Sequence, residues 1–462
     1  MVRVFSHYIS SRLVLLMGME ALVLMFSICA GHAFDHTGSA ATFAATVPPP
    51  AAAFSVGMLI VMNSMGLYQL DAWRGEQPYV RRLIAAVLLG LGFIILMTQW
   101  VPSLHLGPGG VAVAVIAALG GTALVRFALH KWDTSALLKP RVLVLGTGSR
   151  VMTLAERAQR NHNHVVVGYV SLQSAGNHYV PLPHVLPVRE GESLVSVTEK
   201  YGVDEIVIAL RDRRGGALPV QDLLKCRLRG IKISELPSFF EREYRQVLLE
   251  SLNPSWMLLG EGFRQGWCRT TAKRAFDIVV SVLLLILTSP ILLVAALCIV
   301  RESGFPVLYR QERVGLRGRN FVIYKLRSMT NGAESDGTPR WADADDNRMT
   351  RVGRIIRKLR IDELPQILNV LKGEMSFVGP RPERPYFVGL LEKRIPYYAL
   401  RHYVKPGITG WAQVRYTYGA SVDDAVEKLQ YDLYYVKNHS LFLDMVILLH
   451  TIEVVLWNKG AR

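Results

Sequence analysis

Five long apolar runs decide what this chain can become. Four lie near the N-terminus, at about Leu13–Ala30, Phe54–Leu70, Leu83–Val101 and Val111–Leu129. Each approaches the ~20 residues that cross a bilayer as a helix. Hydrocarbon offers no partner to a backbone N–H or C=O, so such runs must satisfy their hydrogen bonds internally. Their flanks are asymmetric. Arg3 and Arg12 precede the first run, Arg74, Arg81 and Arg82 separate the second from the third, and Arg126, Lys131, Lys139 and Arg141 follow the fourth. The segments 31–53 and 102–110 contain no Lys or Arg. This predicts four spans with both ends in the cytoplasm, rather than a cleaved leader. Glu20, inside the first run, is expected to find a partner within the bundle.

The fifth run, Phe276–Val300, is long enough to cross and is interrupted by Ser289-Pro290. Its flanks argue against crossing, because Lys273 and Arg274 precede it while Arg301, Arg310 and Arg313 follow. Pro290 removes a helical hydrogen bond, and the Ser289 hydroxyl can satisfy the freed carbonyl. The expectation is a re-entrant helix–break–helix over 276–300, with Ser289 and Pro290 as the structural membrane break.

With 53 Lys and Arg against 37 Asp and Glu, the chain carries +16, and half of it is hydrophobic. That combination suits an integral membrane protein facing anionic membrane lipid or phosphorylated substrates. A nucleic-acid binder would be as basic but would not carry the apolar spans. The four cysteines, Cys29, Cys226, Cys268 and Cys298, lack metal-type spacing, which speaks against a zinc site or disulfide framework.

After the fourth run, Pro140–Ser149 reads as a short strand entering a glycine turn, with a helix over Leu154–Arg160. Further strands are predicted at Val165–Val170, Glu205–Leu210 and Ile231–Glu235. The alternation predicts a Rossmann-like α/β domain over 140–260. Its dinucleotide fingerprint is incomplete: Val151 stands at the third glycine position, and Ser171-Leu172-Gln173 replaces the expected acidic residue. A structural or regulatory role is the preferred reading, with nucleotide binding the alternative.

Arg360-Ile361-Asp362-Glu363-Leu364-Pro365-Gln366 places two carboxylates at a helix start. Pro365 suits a first turn, Ile367, Leu368, Val370 and Leu371 supply apolar spacing, and Gly373 a stop. Asp362 is expected at or near the N-cap. Arg348, Arg351, Arg354 and Arg357 recur upstream beside Lys358 and Arg360. So much cation points to a site where a carboxylate meets a polyphosphate.

With these motifs the chain resembles the bacterial polyprenyl-phosphate sugar-1-phosphate transferases that have a monotopic catalytic core. The likeness covers about 270–462. It rests on Lys273–Asp277, Ser289-Pro290, Gln311–Gly315, Tyr324–Met329, Asp362–Gln366, Ser376–Pro382 and Lys405–Trp411, in that order. Leu326 replaces a common Phe. The bundle and α/β insert are similar to the long members, which initiate exopolysaccharide or O-antigen assembly. The implied fold is a four-helix transmembrane bundle over 1–132, the α/β domain over 140–260, and an α-rich catalytic domain over 270–462. The implied location is the bacterial inner membrane, with the catalytic domain on its cytoplasmic face.

The resemblance implies Asp362 as nucleophile and metal-associated carboxylate, Glu363 as its catalytic partner, and Mg²⁺ as cofactor. It places Lys325, Arg357 and Arg381 at the anion site. Arg327, Pro382, Trp411 and Gln413 complete the expected substrate set. The implied substrates are a UDP-sugar and undecaprenyl phosphate, with UMP released, and a homodimer is a family-level expectation. The chemistry stands without the family: a carboxylate can attack phosphorus, and cations must offset the repulsion between the two anions. Arg381, in Gly379-Pro380-Arg381-Pro382, would be held by a rigid turn and can grip phosphate with two hydrogen bonds.

Rival readings are a DxD glycosyltransferase using Asp343-Ala344-Asp345, which would release UDP, and a non-catalytic scaffold or sensor. A membrane-anchored dehydratase would carry Tyr-x-x-x-Lys, which this chain lacks. Leu441–Trp457 reads as an amphipathic helix on the membrane or on the core, with Asp444 and Glu453 compatible with one polar edge.

Overall fold

The computed structural model describes residues 1–35, 47–68, 76–101, 106–133, 139–160, 164–171, 185–186, 193–210, 218–252, 262–263, 266–330, 348–416, 419 and 421–457. Two compact units emerge. One consists essentially of residues 127–261, and the other joins residues 2–126 to 262–462.

The second unit begins with an antiparallel hairpin, β1 (Val2–Val4) and β2 (His7–Ile9). The helices α1 (Ser11–Asp35), α2 (Pro48–Ser64), α3 (Glu76–Trp100) and α4 (Pro108–Asp133) follow. Leu24, Ile28, Phe54, Met58, Met62 and Ile94 lie in their common core. The second helix departs from expectation. It runs over Pro48–Ser64, not Phe54–Leu70, because Pro48 and Pro49 suit a first turn and Gly66 turns the chain at φ 74°. Its 17 residues reach only about 25 Å. Glu20 has the partners expected of it: Arg126 Nε lies 2.5 Å from Oε1, and the Tyr68 hydroxyl donates to Oε2 at 2.6 Å.

The other unit contains β3 (Arg141–Leu145), α5 (Met152–Arg160), β4 (Val165–Val170), α6 (Leu194–Tyr201), β5 (Glu205–Ile208), α7 (Val220–Leu228), β6 (Lys232–Glu235) and α8 (Leu236–Tyr244). The strands are all parallel, in the order β4-β3-β5-β6. Gly146, at φ 127°, passes so close to the Ala209 backbone that a Cβ would touch it at 3.3 Å. That contact gives the first glycine of the turn a packing reason.

The remainder of the larger unit opens with α9 (Trp267–Ser303). Helices α1, α9, residues 80–100 of α3 and residues 108–129 of α4 are long and apolar enough to cross a membrane. Contrary to the expected break, α9 is helical through Pro290 and extends beyond 276–300 at both ends. The Ser289 hydroxyl donates at 2.8 Å to the carbonyl of Ile286, the acceptor that Pro290 cannot serve. Both ends of α9 dock on the protein. Arg274 donates to the Val370 and Leu371 carbonyls, and Asp277 accepts from the Ser376 hydroxyl and the Phe377 amide. At the other end, Glu302 accepts from the Arg351 and Val352 amides. Val279, Leu283, Ile286, Leu287, Leu293 and Val294 between them are exposed.

The hairpin β7 (Leu308–Val314) and β8 (Asn320–Leu326) precedes α10 (Arg351–Lys358). A 3₁₀ segment over Ile361–Gln366 leads into α11 (Ile367–Lys372). Strand β9 (Ser376–Val378), α12 (Pro385–Arg394), β10 (Gly407–Thr409), α13 (Trp411–Arg415), α14 (Val422–Asn438) and α15 (Leu441–Leu456) complete the chain, and β9 pairs parallel with β10. Asp444 and Glu453 do not share an edge of α15. Nine residues are about two and a half turns, so the two carboxylates diverge. Asp444 meets Lys273 at 2.6 Å, whereas Glu453 meets Arg82 at 3.3 Å.

Candidate active site

The site begins with the winding of residues 361–366. Arg360 takes a left-handed φ of 58°, and the α-helix starts only at Ile367. Pro365 disfavours α geometry in the residue before it, and a short 3₁₀ stretch accommodates it. Asp362 therefore sits inside this stretch, two residues past the N-cap position held by Arg360, rather than capping a long helix.

Strand β8 is drawn against this segment by a buried residue that periodicity does not flag. Asn369 accepts from the Tyr324 amide at 3.2 Å, and its amide donates to the Val322 carbonyl at 2.7 Å and to Glu374 at 2.8 Å. Beneath it, Leu326 packs with Ala295, Ile299 and Ile356, and Ile361 leans on the same cluster. Lys325 is thereby delivered to Glu363, its Nζ donating to Oε1 at 3.0 Å. Arg381 Nη2 donates to the same oxygen at 2.9 Å, and Arg360 approaches Oε2 at 3.8 Å.

The turn carrying Arg381 is fixed from both sides. The Gly379 amide donates to the Thr409 carbonyl at 2.9 Å, and the Gly407 amide to the Pro380 carbonyl at 3.0 Å. A Cβ on Gly379 or Gly407 would collide with the facing backbone, so this approach requires glycine. Arg401 Nη2 donates to the Arg381 carbonyl at 2.9 Å, and Arg313 Nη1 to the Pro382 carbonyl at 3.0 Å. Arg401 also pairs with Asp432 at 2.8 Å. No motif marks Arg401 or Asp432, because their relation exists only across the fold.

The two adjacent carboxyls live in opposite electrostatic settings. Burial and the neighbouring Glu363 charge push Asp362 upward, against the pull of Lys325, Arg357 and Arg360. Burial would also raise Glu363, but Lys325, Arg381 and Arg360 outweigh it and hold this carboxyl well below the ordinary range. Lys325 is lowered by burial, an effect Glu363 partly offsets. Among the described residues, the Asp362 carboxylate makes no side-chain hydrogen bond or ion pair. Divergent environments for paired acids are a mark of divided labour.

The remaining predicted residues separate. Arg357 is half-buried, lies 3.2 Å from Met349 Sδ and adds positive potential at Asp362. Arg327 is instead turned to the C-terminal end of α9, donating to the carbonyls of Ser303 at 2.8 Å and Gly304 at 2.6 Å. Trp411, 1% exposed, packs with His7, Tyr434 and His450, so its indole offers no face to a nucleotide. Gln413 braces the Ile408 carbonyl at 3.0 Å, and Pro382 is buried. The Asp343–Asp345 cluster lies outside the described residues.

A bacterial sugar transferase domain matches residues 268–458. A UDP-glucose:undecaprenyl-phosphate glucose-1-phosphate transferase of Xanthomonas campestris pv. campestris is 33% identical over 366 residues, 75% of this chain and 73% of its own length. The chain belongs to the bacterial sugar transferase family. A UDP-N-acetylgalactosamine-undecaprenyl-phosphate N-acetylgalactosaminephosphotransferase of Aeromonas hydrophila is 42% identical over 259 residues, 56% of this chain. The chain spans 60% of that sugar transferase's length. EpsL of Bacillus subtilis (strain 168), an uncharacterized sugar transferase, is 45% identical over 194 residues, 41% of this chain and 90% of its own length.

Proposed function

We propose that this chain transfers a sugar-1-phosphate from a UDP-sugar to undecaprenyl phosphate through a phospho-Asp362 intermediate, initiating a cell-surface polysaccharide. The observation that carries this reading is the asymmetry of the dyad. Glu363 is engaged by Lys325 and Arg381, while the adjacent Asp362 carboxylate is buried without a side-chain partner among the described residues.

In this mechanism an Asp362 oxygen bonds to the sugar-bearing phosphorus. The bond from that phosphorus to the bridging oxygen breaks, and UMP departs with the electron pair. An oxygen of the polyprenyl phosphate then attacks the same phosphorus. The aspartyl O–P bond breaks, the carboxylate returns, and the lipid carries a diphospho-sugar. Lys325 and Arg381 are aimed by Glu363 at the phosphate oxygens, where charge develops. Glu363, with both cations on one oxygen, acts as their electrostatic anchor rather than as a base. Arg357 and Arg360 lower the cost of bringing a diphosphate to a carboxylate. A carboxylate with no side-chain partner among the described residues, set beside a diphosphate, suits Mg²⁺, which takes one or two protein carboxylates plus phosphate oxygens, and Asp362 would hold it. Bound there, it would neutralise phosphate charge.

Helix α9 is read as re-entrant. Support comes from its two ends, which both bond to the catalytic part of the chain, and from the exposed apolar residues between them. A straight span would carry one end away from those partners. The catalytic face is thereby assigned to the cytoplasm, where UDP-sugars are made. The α/β unit is read as Rossmann-like on its parallel order and its glycine turn.

The test is turnover of the purified chain with a UDP-sugar panel and undecaprenyl phosphate, measuring UMP with and without Mg²⁺. A donor labelled in its sugar should leave a covalent adduct on Asp362, and Asp362→Asn should abolish both adduct and lipid product. Lipid product formed by Asp362→Asn, or UDP released in place of UMP, would refute the mechanism.

A further inference from the structure

Helix α15 carries Glu453, a carboxylate with no exposed surface, and its cation comes from the N-terminal bundle. Arg82 Nη1 lies 3.3 Å from Glu453 Oε1 and donates to the Gly66 carbonyl at 3.2 Å. The guanidinium stands 5.5 Å over the Trp457 ring, and His450 Nδ1 is 3.6 Å from the other carboxylate oxygen. Burying such a pair is expensive, and apolar packing would stabilise a helix contact as well; what the pair adds is a unique register.

That register continues inward. Beside Glu453 on α15, the Thr451 hydroxyl is 2.7 Å from the Thr409 hydroxyl at the end of β10. The Thr409 carbonyl takes the Gly379 amide, and the Pro380 carbonyl takes the Gly407 amide. Arg381 follows at once, bound to Glu363. On its other side, α15 uses Asp444 to hold Lys273 at 2.6 Å and the Tyr435 hydroxyl at 2.7 Å. An independent contact from the N-terminal end reaches the same region. His7 Nδ1 is 2.9 Å from the Tyr434 hydroxyl, and its ring sets edgewise on Trp411 at 5.6 Å.

We propose that Arg82 is a positioning residue of the transferase: by fixing Glu453 and the register of α15, it sets the Thr409–Gly379 contact and hence the placement of Arg381 at the dyad. The bundle is then part of the machinery that shapes the phosphate site, not only an anchor. The kinetic side of this inference rests on the transferase reading above; the structural side does not.

The experiment uses the full chain in nanodiscs, normalised to folded protein, in two arms. The first is hydrogen exchange at the Gly379 and Gly407 amides. Arg82→Gln and the near-isosteric Thr451→Val should each accelerate it, Arg82→Glu combined with Glu453→Arg should restore protection, and Arg81→Gln, at an exposed neighbour, should change nothing. The second is UMP release, where kcat should fall about tenfold in Arg82→Gln with the donor KM moving less than twofold. Thr451→Val keeps every charge and fills the same volume, so it tests the inner link even if the Arg82 variants do not accumulate. Unchanged exchange in folded Arg82→Gln or Thr451→Val would overturn the proposal, as would full kcat accompanied only by a lower thermal midpoint. If exchange responds while the wild type releases no UMP from any donor, the coupling stands and the transferase reading falls.

Discussion

Acid should destabilise the catalytic part of this protein, through two buried histidines. His402 is pushed down to about 4 by burial and by the nearby Arg401 charge. His439 is likewise pushed down to about 4, by burial first and then by Arg269 and Lys273, against a bond to the Val436 carbonyl. Both are under a tenth exposed, so solvent screens little of this. A histidine whose folded value lies below its ordinary 6.5 contributes stability that is complete above pH 6.5 and lost as pH falls towards 4. At pH 5.5 the loss works out to about 1.4 kcal/mol for each ring relative to pH 7.5. Asp432, pushed up to about 6 by burial, acts in the opposite sense, because its folded form holds a proton that the unfolded form releases. Its relief over the same interval is about 0.8 kcal/mol, so these three groups together cost about 2 kcal/mol. For a unit of this size that lowers the thermal midpoint by roughly 4–8 °C. Intrinsic-fluorescence melting in detergent at pH 7.5, 6.5 and 5.5 measures it. His402→Gln and His439→Gln should each remove about half of the histidine-dependent slope, whatever they do to the midpoint at pH 7.5. A midpoint that is level or rising towards pH 5.5, or an unchanged slope in the double variant, would refute the argument.

Glu363→Gln should lower kcat by about two orders of magnitude, because a neutral amide no longer anchors Lys325 and Arg381; steady-state UMP release checks this. Arg327→Met should depress the melting temperature by removing the guanidinium from the Ser303 and Gly304 carbonyls, yet leave the donor KM within twofold. For the re-entrant reading, Cys268 and a cysteine at the exposed Phe305 position should both react with an impermeant thiol reagent only from the cytoplasmic side. Labelling from opposite sides would make α9 an ordinary span.

Much of the site was legible because its parts are local. Asp362 and Glu363 are adjacent, and Lys325 and Arg381 stand in compact motifs that the fold brings to one carboxylate. The α/β strands were legible for the same reason: β4 lies over Val165–Val170 as its apolar run predicts. Misreadings arose where one residue type serves two ends. Arg327 is as basic as Lys325, but it stands one residue past the end of β8, where the strand no longer sets its direction, and it turns to the end of α9. Trp411, beside glycines, is core because α13 packs it between α14 and the N-terminal hairpin. Helix α2 was displaced because the apolar run continues past Ser64, whereas the helix starts at Pro48 and ends before the Gly66 turn.

Local patterns along the chain were enough to read the apolar helices of a membrane protein, a parallel α/β unit after the bundle, and a carboxylate pair among cations. Apolar run length, strand periodicity and adjacent charges are properties of neighbouring residues and need no fold to be read. It took the folded chain to show which carboxylate is engaged and which has no side-chain partner among the described residues, and which arginines face the dyad. It alone joined Arg82 to Glu453. Burial and the distance between charges set those outcomes, and neither quantity exists until remote segments meet.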